Sequence, residues 1–313
     1  MEALRERLLQ CLGGPWPAAG LLRSAVHRVI DRGGCRLEAV SYESEPGDRV
    51  PAWLLIPEGV SPSRPAPAVA VWHQHNGQWH LGKGEPAGLA GDTMHHTGLA
   101  LAQEGYVVLC PDALGFEARQ SPHLAGGDYE RFAFLQYVVA GKCLAWKNIL
   151  DMRRALDYLV SRPEVIGDRI GCYGHSMGAT HTWLVGPFEP RLRCLAANCC
   201  LPTYAAIARK HLLHCFPNFI PGWGRYGDTP DIAALAAPRP LTMNFGELDA
   251  GSPIEEVREG MATIARAYAA AGAAEKFTSH IEPGAGHVLS PAMWARVRDF
   301  FARHLAPPAE GGR

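Results

Sequence analysis

Apolar and polar positions along this chain follow two different periods. Short runs rich in apolar residues predict strands at Leu37–Tyr42, Ala52–Ile56, Ala68–Trp72, Tyr106–Cys110, Arg169–Tyr173, Cys194–Cys199, Leu241–Phe245 and Phe277–Ile281. The middle runs are almost wholly apolar, as strands covered on both faces are. Between them the period lengthens to that of a helix. Trp146–Val160 sets Ile149, Met152, Leu156 and Leu159 on one face at spacings of 3, 4 and 3. Val257–Ala271 is Ala-rich and helical, and Pro291–His304 turns Met293, Trp294, Val297, Phe300 and Phe301 inward. Residues 1–23 read as a short amphipathic helix and a Gly/Pro-rich turn.

The order of these elements selects a fold class. The first two strands follow one another across a short Glu45–Asp48 turn and should be antiparallel. From residue 66 strand and helix alternate, which demands right-handed crossovers and a mostly parallel sheet covered by helices. The reading is an α/β protein with eight strands. Residues 1–34 form a helix and lead-in, 35–305 a single domain, and 306–313 a flexible tail. Two stretches break the rhythm, about 116–142 and 203–235; their cores, Gln120–Lys142 and Thr203–Leu235, exceed the usual 2–6 residue connection. They read as cap-like elaborations over a site.

Composition narrows the classes. The chain has 313 residues, 47% hydrophobic and 19% charged, which excludes a disordered protein. Thirty Lys and Arg against thirty-one Asp and Glu give a net charge of −1. That argues against nucleic acid or an acidic membrane as partner. Nine cysteines, with no CxxC pair, fall partly within apolar runs and read as reduced, buried thiols. The charged N-terminus has no signal-peptide core, and no apolar stretch approaches the ~20 residues that span a bilayer. The expectation is a soluble cytoplasmic protein acting on a small molecule. The N-terminal helix and the 203–235 insertion are each candidates for a homodimer contact.

One motif carries chemistry. Gly174-His-Ser176-Met-Gly178 follows the strand Ile170–Tyr173 and precedes a helix beginning Ala179-Thr-His-Thr-Trp. The pattern G-x-S-x-G between strand and helix is a nucleophile elbow. The Ser sits on a tight, strained turn, and the residues two before and two after it must approach other backbone closely, so both are Gly. The turn aims the helix N-terminus at a developing oxyanion.

A serine hydroxyl needs a general base, and the base an orienting carboxylate. After such an elbow the acid comes first and the His last. In Leu241-Thr-Met-Asn-Phe-Gly246-Glu247-Leu248-Asp249 a strand ends, a Gly turns the chain and Asp249 follows, with Glu247 as the alternative. In Ile281-Glu-Pro-Gly284-Ala-Gly286-His287 the base is His287; His280 within the strand and His304 in the last helix read as core or surface. For the oxyanion, one N–H should come from Met177 and another from the loop Trp72-His73-Gln74-His75-Asn76-Gly77: His75 first, then Gln74 or Asn76. His73, Trp79, Phe216 and Trp223 are candidates for contacting substrate.

Other signals lead elsewhere. His73, His75, His80, His95 and His96 are numerous, but no HExxH or matched ligand set appears, so no metal is expected. Gly77–Gly84 nearly spells a phosphate loop, yet position 84 lacks a hydroxyl and Pro86 interrupts the following helix. Cys199-Cys200 lies in an apolar run and reads as a buried pair.

Together, Pro67-Ala-Val-Ala-Val-Trp-His73, Gly105-Tyr-Val-Val-Leu-Cys-Pro-Asp112, Arg169–Gly178 and Ala237-Pro-Arg-Pro-Leu241 resemble an α/β-hydrolase of the dienelactone hydrolase and acetyl xylan esterase-like branch. The resemblance covers roughly residues 35–305. It implies a twisted eight-stranded sheet and hydrolysis of a carboxylic ester without metal or organic cofactor. Two positions depart from the pattern. Ser176 stands where dienelactone hydrolases carry Cys, and Gln74 stands where the oxyanion loop commonly has Gly. The expected reaction is ester cleavage through an acyl-enzyme. The same triad could serve a thioester, peptide, acyl-transfer or cyclisation reaction, and a non-catalytic binding protein is the remaining alternative.

Overall fold

A computed structural model describes residues 1–306; of the expected tail, 307–313 lie outside the described residues. The strands are β1 (Ala25–Asp31), β2 (Cys35–Glu45), β3 (Asp48–Pro57), β4 (Ala66–Trp72), β5 (Val107–Pro111), β6 (Val165–His175), β7 (Leu192–Asn198), β8 (Leu241–Gly246) and β9 (Phe277–Glu282). The helices are α1 (Glu2–Leu12), α2 (Thr97–Gln103), α3 (Gly126–Val139), α4 (Leu144–Ser161), α5 (Met177–Val185), α6 (Tyr204–Lys210), α7 (Thr229–Ala234), α8 (Ile254–Ala270) and α9 (Pro291–Leu305).

Among the described residues the strands form one nine-stranded sheet in the order β1-β2-β3-β5-β4-β6-β7-β8-β9. The first three strands and β5 pair antiparallel. From β5 through β9 every pairing is parallel. The antiparallel start and parallel body agree with the sequence reading; the strand count does not. The additional strand is β1, which lies in the lead-in segment 1–34. Its residues Val26 and Val29 are about half exposed. An edge strand held by backbone pairing to β2 buries little beyond Ile30, which packs on the second core, so it has no apolar run to read.

Neighbouring residues of the central strands feed opposite cores, which is the two-residue period made visible. Ala68, Ala70 and Trp72 of β4 join α4, α5, α7 and α8 on one side. Val69 and Val71 join α2 and α9 on the other, against Met293, Val297 and Phe301. Leu8 and Leu12 bring α1 into the first core. The 116–142 stretch folds into α3, and the 203–235 stretch into α6, α7 and two short 3-10 turns. No helix among the described residues is long and apolar enough to cross a membrane.

Candidate active site

Ser176 sits between the end of β6 and the start of α5 with φ 58° and ψ −121°, backbone angles that side chains with a Cβ rarely adopt. Its glycine neighbours explain how the turn closes. A Cβ on Gly174 would fall 2.0 Å from the Gly178 carbonyl oxygen, and one on Gly178 would fall 2.1 Å from that of Trp72. Only hydrogen fits at either place. The Ser176 N–H donates to the Asn198 carbonyl at 2.9 Å, tying the turn to β7. The Met177 N–H, first of the helix, has no acceptor among the described residues.

A second glycine contact brings the other two groups together. A Cβ on Gly246, at the end of β8, would lie 2.0 Å from the Gly286 carbonyl. The Leu248 N–H donates to the Ala285 carbonyl at 2.7 Å across the same approach. Asp249 is buried, and its Oδ1 accepts from the Gly251 N–H at 2.9 Å. Its Oδ2 lies 2.8 Å from His287 Nδ1, and His287 Nε2 lies 2.8 Å from Ser176 Oγ. A carboxylate only accepts, so Nδ1 carries the proton and the Nε2 lone pair faces the hydroxyl. Glu247, the alternative acid, accepts from the Gly284 N–H at 2.9 Å and holds the base loop instead.

Behind His287 stand two more imidazoles. The His175 ring centroid is 5.1 Å from that of His287, and His95 is 4.8 Å beyond. Burial holds the pKa of both below the ordinary histidine value, and that of His175 far below. His175 Nδ1 accepts from the Asn198 side-chain amide at 2.8 Å. Cys199 Sγ donates to the Val288 carbonyl, and burial pushes its pKa up to about 12, so it is an inert thiol. Cys199, Asp249 and His287 offer ligand atoms within 4.8 Å of one another. A metal held there would have to part the Asp249–His287 hydrogen bond, so the set fits the triad better than an ion. The histidines at 73, 75, 80, 95 and 96 form no such group among the described residues.

Ser176 opens into a cleft of about 730 Å³. His75, Asn76 and Trp79 line it from the loop after β4, and Phe216 and Phe219 from the 203–235 insertion. Of the residues expected around the oxyanion, Gln74 has a buried side chain that donates to Glu85 Oε2 at 2.9 Å. The N–H groups of Gln74, His75 and Asn76 have no acceptor among the described residues. Two substrate-contact expectations are corrected. His73 is buried away from the cleft: its Nδ1 bonds the Gln74 carbonyl, the Ala113 N–H donates to its Nε2, and burial lowers its pKa to about 4. Trp223 is fully buried in the core and donates its indole N–H to the Asp228 carbonyl at 3.0 Å. A large apolar ring among prolines and glycines filled the core where a cleft wall was expected. Lys83 of the near phosphate loop is spent on Asp112 and Glu117, at 2.8 and 2.6 Å.

Two cleft residues escaped the sequence reading. His214 donates from Nε2 to the Gly251 carbonyl at 3.1 Å and accepts at Nδ1 from the Asn218 amide at 2.9 Å. It ties the 203–235 insertion to the loop of Asp249, and burial lowers its pKa to about 4. Glu130, on α3, accepts at Oε2 from His75 Nε2 at 2.8 Å and from the Trp79 indole at 3.1 Å. Neither had a local signal, because the partners lie 37 and 55 residues away.

Comparison with known proteins returns the same architecture. The model of the Abhydrolase family matches residues 21–286. "Putative hydrolase YtaP" of Bacillus subtilis (strain 168) is 28% identical over 291 residues, 92% of this chain and 94% of that protein. Among solved structures, a glucuronoyl esterase from Solibacter usitatus superposes with a TM-score of 0.72 at 17% identity, over 97% of this chain and 92% of that one. Acetyl xylan esterase 1 from Thermoanaerobacterium sp. JW/SL YS485 superposes at 0.67 and 14% identity, over 97% and 93%.

Proposed function

The chain belongs to the Abhydrolase family, and from that premise we propose that it is a serine hydrolase cleaving a carboxylic ester through an acyl-enzyme. The observation that carries the reading is the position of His287, 2.8 Å from Ser176 Oγ on one side and 2.8 Å from Asp249 Oδ2 on the other. Ser176 Oγ attacks the acyl carbon while His287 Nε2 takes its proton. Asp249 fixes the imidazole tautomer and stabilises the imidazolium that forms. The negative charge on the carbonyl oxygen is received by the N–H groups of Met177 and His75. His287 then gives its proton to the leaving alcohol. A water deprotonated by His287 releases the acid and restores Ser176. The steps run on these side chains and water. Both solved structures named above are of esterases, which supports an ester over a thioester or peptide.

The test is hydrolysis of p-nitrophenyl acetate, butyrate and octanoate by the wild type and Ser176→Ala. The proposal expects turnover in the wild type and none above background in the variant. Wild-type turnover retained by Ser176→Ala would contradict it. The chain-length trend measures the acyl pocket.

A further inference from the structure

We propose that Glu130 is a positioning residue for the oxyanion hole, holding the loop that presents the His75 N–H. The inference rests on the esterase reading. The loop has little regular structure to hold it. It leaves the sheet at Trp72 and turns with Asn76 in the left-handed region at φ 43°. Within the turn the Gln78 N–H donates to the His75 carbonyl at 2.8 Å, and the Gly77 N–H donates to His75 Nδ1 at 2.9 Å. With Nδ1 accepting, the ring proton of His75 is on Nε2, and it goes to Glu130 at 2.8 Å.

Glu130 is 3% exposed, and its Oε2 also takes the Trp79 indole proton at 3.1 Å. One buried carboxylate oxygen therefore holds two side chains of the same loop, four residues apart, from a helix more than fifty residues downstream. The helix is built to reach that close. A Cβ on Gly126 would lie 2.8 Å from the Trp79 ring, and one on Gly127 would lie 3.1 Å from it. Two glycines at the start of α3 let its first turn lie directly on the indole. Phe134, one turn beyond Glu130 and on the same face of α3, packs on Phe216 with centroids 5.0 Å apart, which anchors that face to the 203–235 insertion. Loss of the carboxylate leaves both ring N–H groups without an acceptor and the His75 backbone held by the loop's own internal turn bonds. The oxyanion donor would then wander, which costs transition-state binding more than substrate binding.

The experiment compares Glu130→Ala, Glu130→Gln and Trp79→Phe with wild type. It reads kcat and KM on the best ester, the rate at which a fluorophosphonate inactivates Ser176, and Tm. Glu130→Ala should lower kcat and the inactivation rate by roughly 10–100-fold with KM within about twofold. Glu130→Gln keeps an oxygen that accepts both bonds and should recover to within about threefold of wild type. Trp79→Phe keeps the carboxylate and one of its two donors and should lose about threefold in kcat. The inference is overturned if Glu130→Ala keeps the wild-type kcat and inactivation rate, if only KM moves, or if Glu130→Gln is as impaired as Glu130→Ala. Should Glu130→Ala fail to fold, Trp79→Phe decides: a lowered kcat supports the inference and an unchanged one overturns it. Inactivation of wild type and Glu130→Ala at equal rates removes the inference and leaves the esterase reading standing. A wild type that neither hydrolyses esters nor reacts with the phosphonate removes both.

Discussion

The triad and the cleft around it meet at Ser176 but are held in opposite ways. Ser176, Asp249 and His287 stand at strand ends, and their loops are locked by backbone passing against backbone: Gly174 on Gly178, Gly178 on Trp72, Gly246 on Gly286. The loop after β4 and the cleft walls are held by side chains reaching from the insertions, Glu130 to His75 and Trp79, and His214 to Gly251. The first kind of constraint is short-range steric exclusion and leaves glycines at fixed offsets. The second is a set of hydrogen bonds between distant residues and leaves no local pattern. On the proposed esterase reading the difference separates chemistry from specificity: the bond-breaking residues are fixed by the sheet, and the cleft that would meet the substrate is walled by the loop after β4 and by the insertions.

That contrast can be broken or sharpened by substitution. The largest effect belongs to the triad. Ser176→Ala should reduce kcat by roughly 10⁴–10⁶-fold, and Asp249→Asn by about 10⁴-fold through the wrong His287 tautomer, both with Tm near wild type. Next comes the glycine lock. Gly246→Ala places a Cβ 2.0 Å from a backbone oxygen, so the loops of Asp249 and His287 must separate. Activity should fall by about 10²-fold or more and Tm should fall with it, both read on one preparation. If Gly246→Ala were neutral, steric locking would not be what sets the triad.

Stability should also depend on pH with a definite sign. His73 and His214 fold with pKa values of about 4, and His181 with about 3, all lowered mainly by burial. Below about 6.5 the unfolded chain binds protons at these sites and the folded chain does not. Tm should therefore fall as pH drops from about 6.5 towards 4, by up to ~1.4 kcal/mol of stability per unit for each histidine. Thermal melts across that window check this, and His181→Gln should flatten the slope. A smaller effect separates core from cleft within the 203–235 segment. Trp223→Phe loses the bond to Asp228 and should cost about 1 kcal/mol, a few degrees of Tm, with KM unchanged. A shifted KM would return Trp223 to the substrate. Smallest is Glu247→Gln, which keeps an oxygen for the Gly284 N–H and should alter kcat by less than about twofold.

How far the sequence could be read follows from the same physics. The central strands were legible because β4 and β5 fill two cores at once and are apolar throughout, with Val107 and Leu109 in one, Val108 and Cys110 in the other. β1 was not, because an edge strand is stabilised by backbone pairing that any side chain permits. Within the site, Ser176 was marked by paired glycines, and Asp249 and His287 by glycine turns after strands. Phe216 and Trp223 lie in one stretch of aromatics, prolines and glycines. Composition cannot tell that Phe216 lines the cleft and Trp223 lies in the core, since the two places differ only in the folded chain. The role of Glu130 depends on α3 lying over Trp79, a contact that exists only once the sheet has formed.

The most direct test of the central claim is to treat the protein with a fluorophosphonate and locate the adduct by peptide mass spectrometry. The account predicts one modified residue, Ser176, with labelling abolished in His287→Ala. An adduct elsewhere, or undiminished labelling of Ser176 without His287, would contradict it.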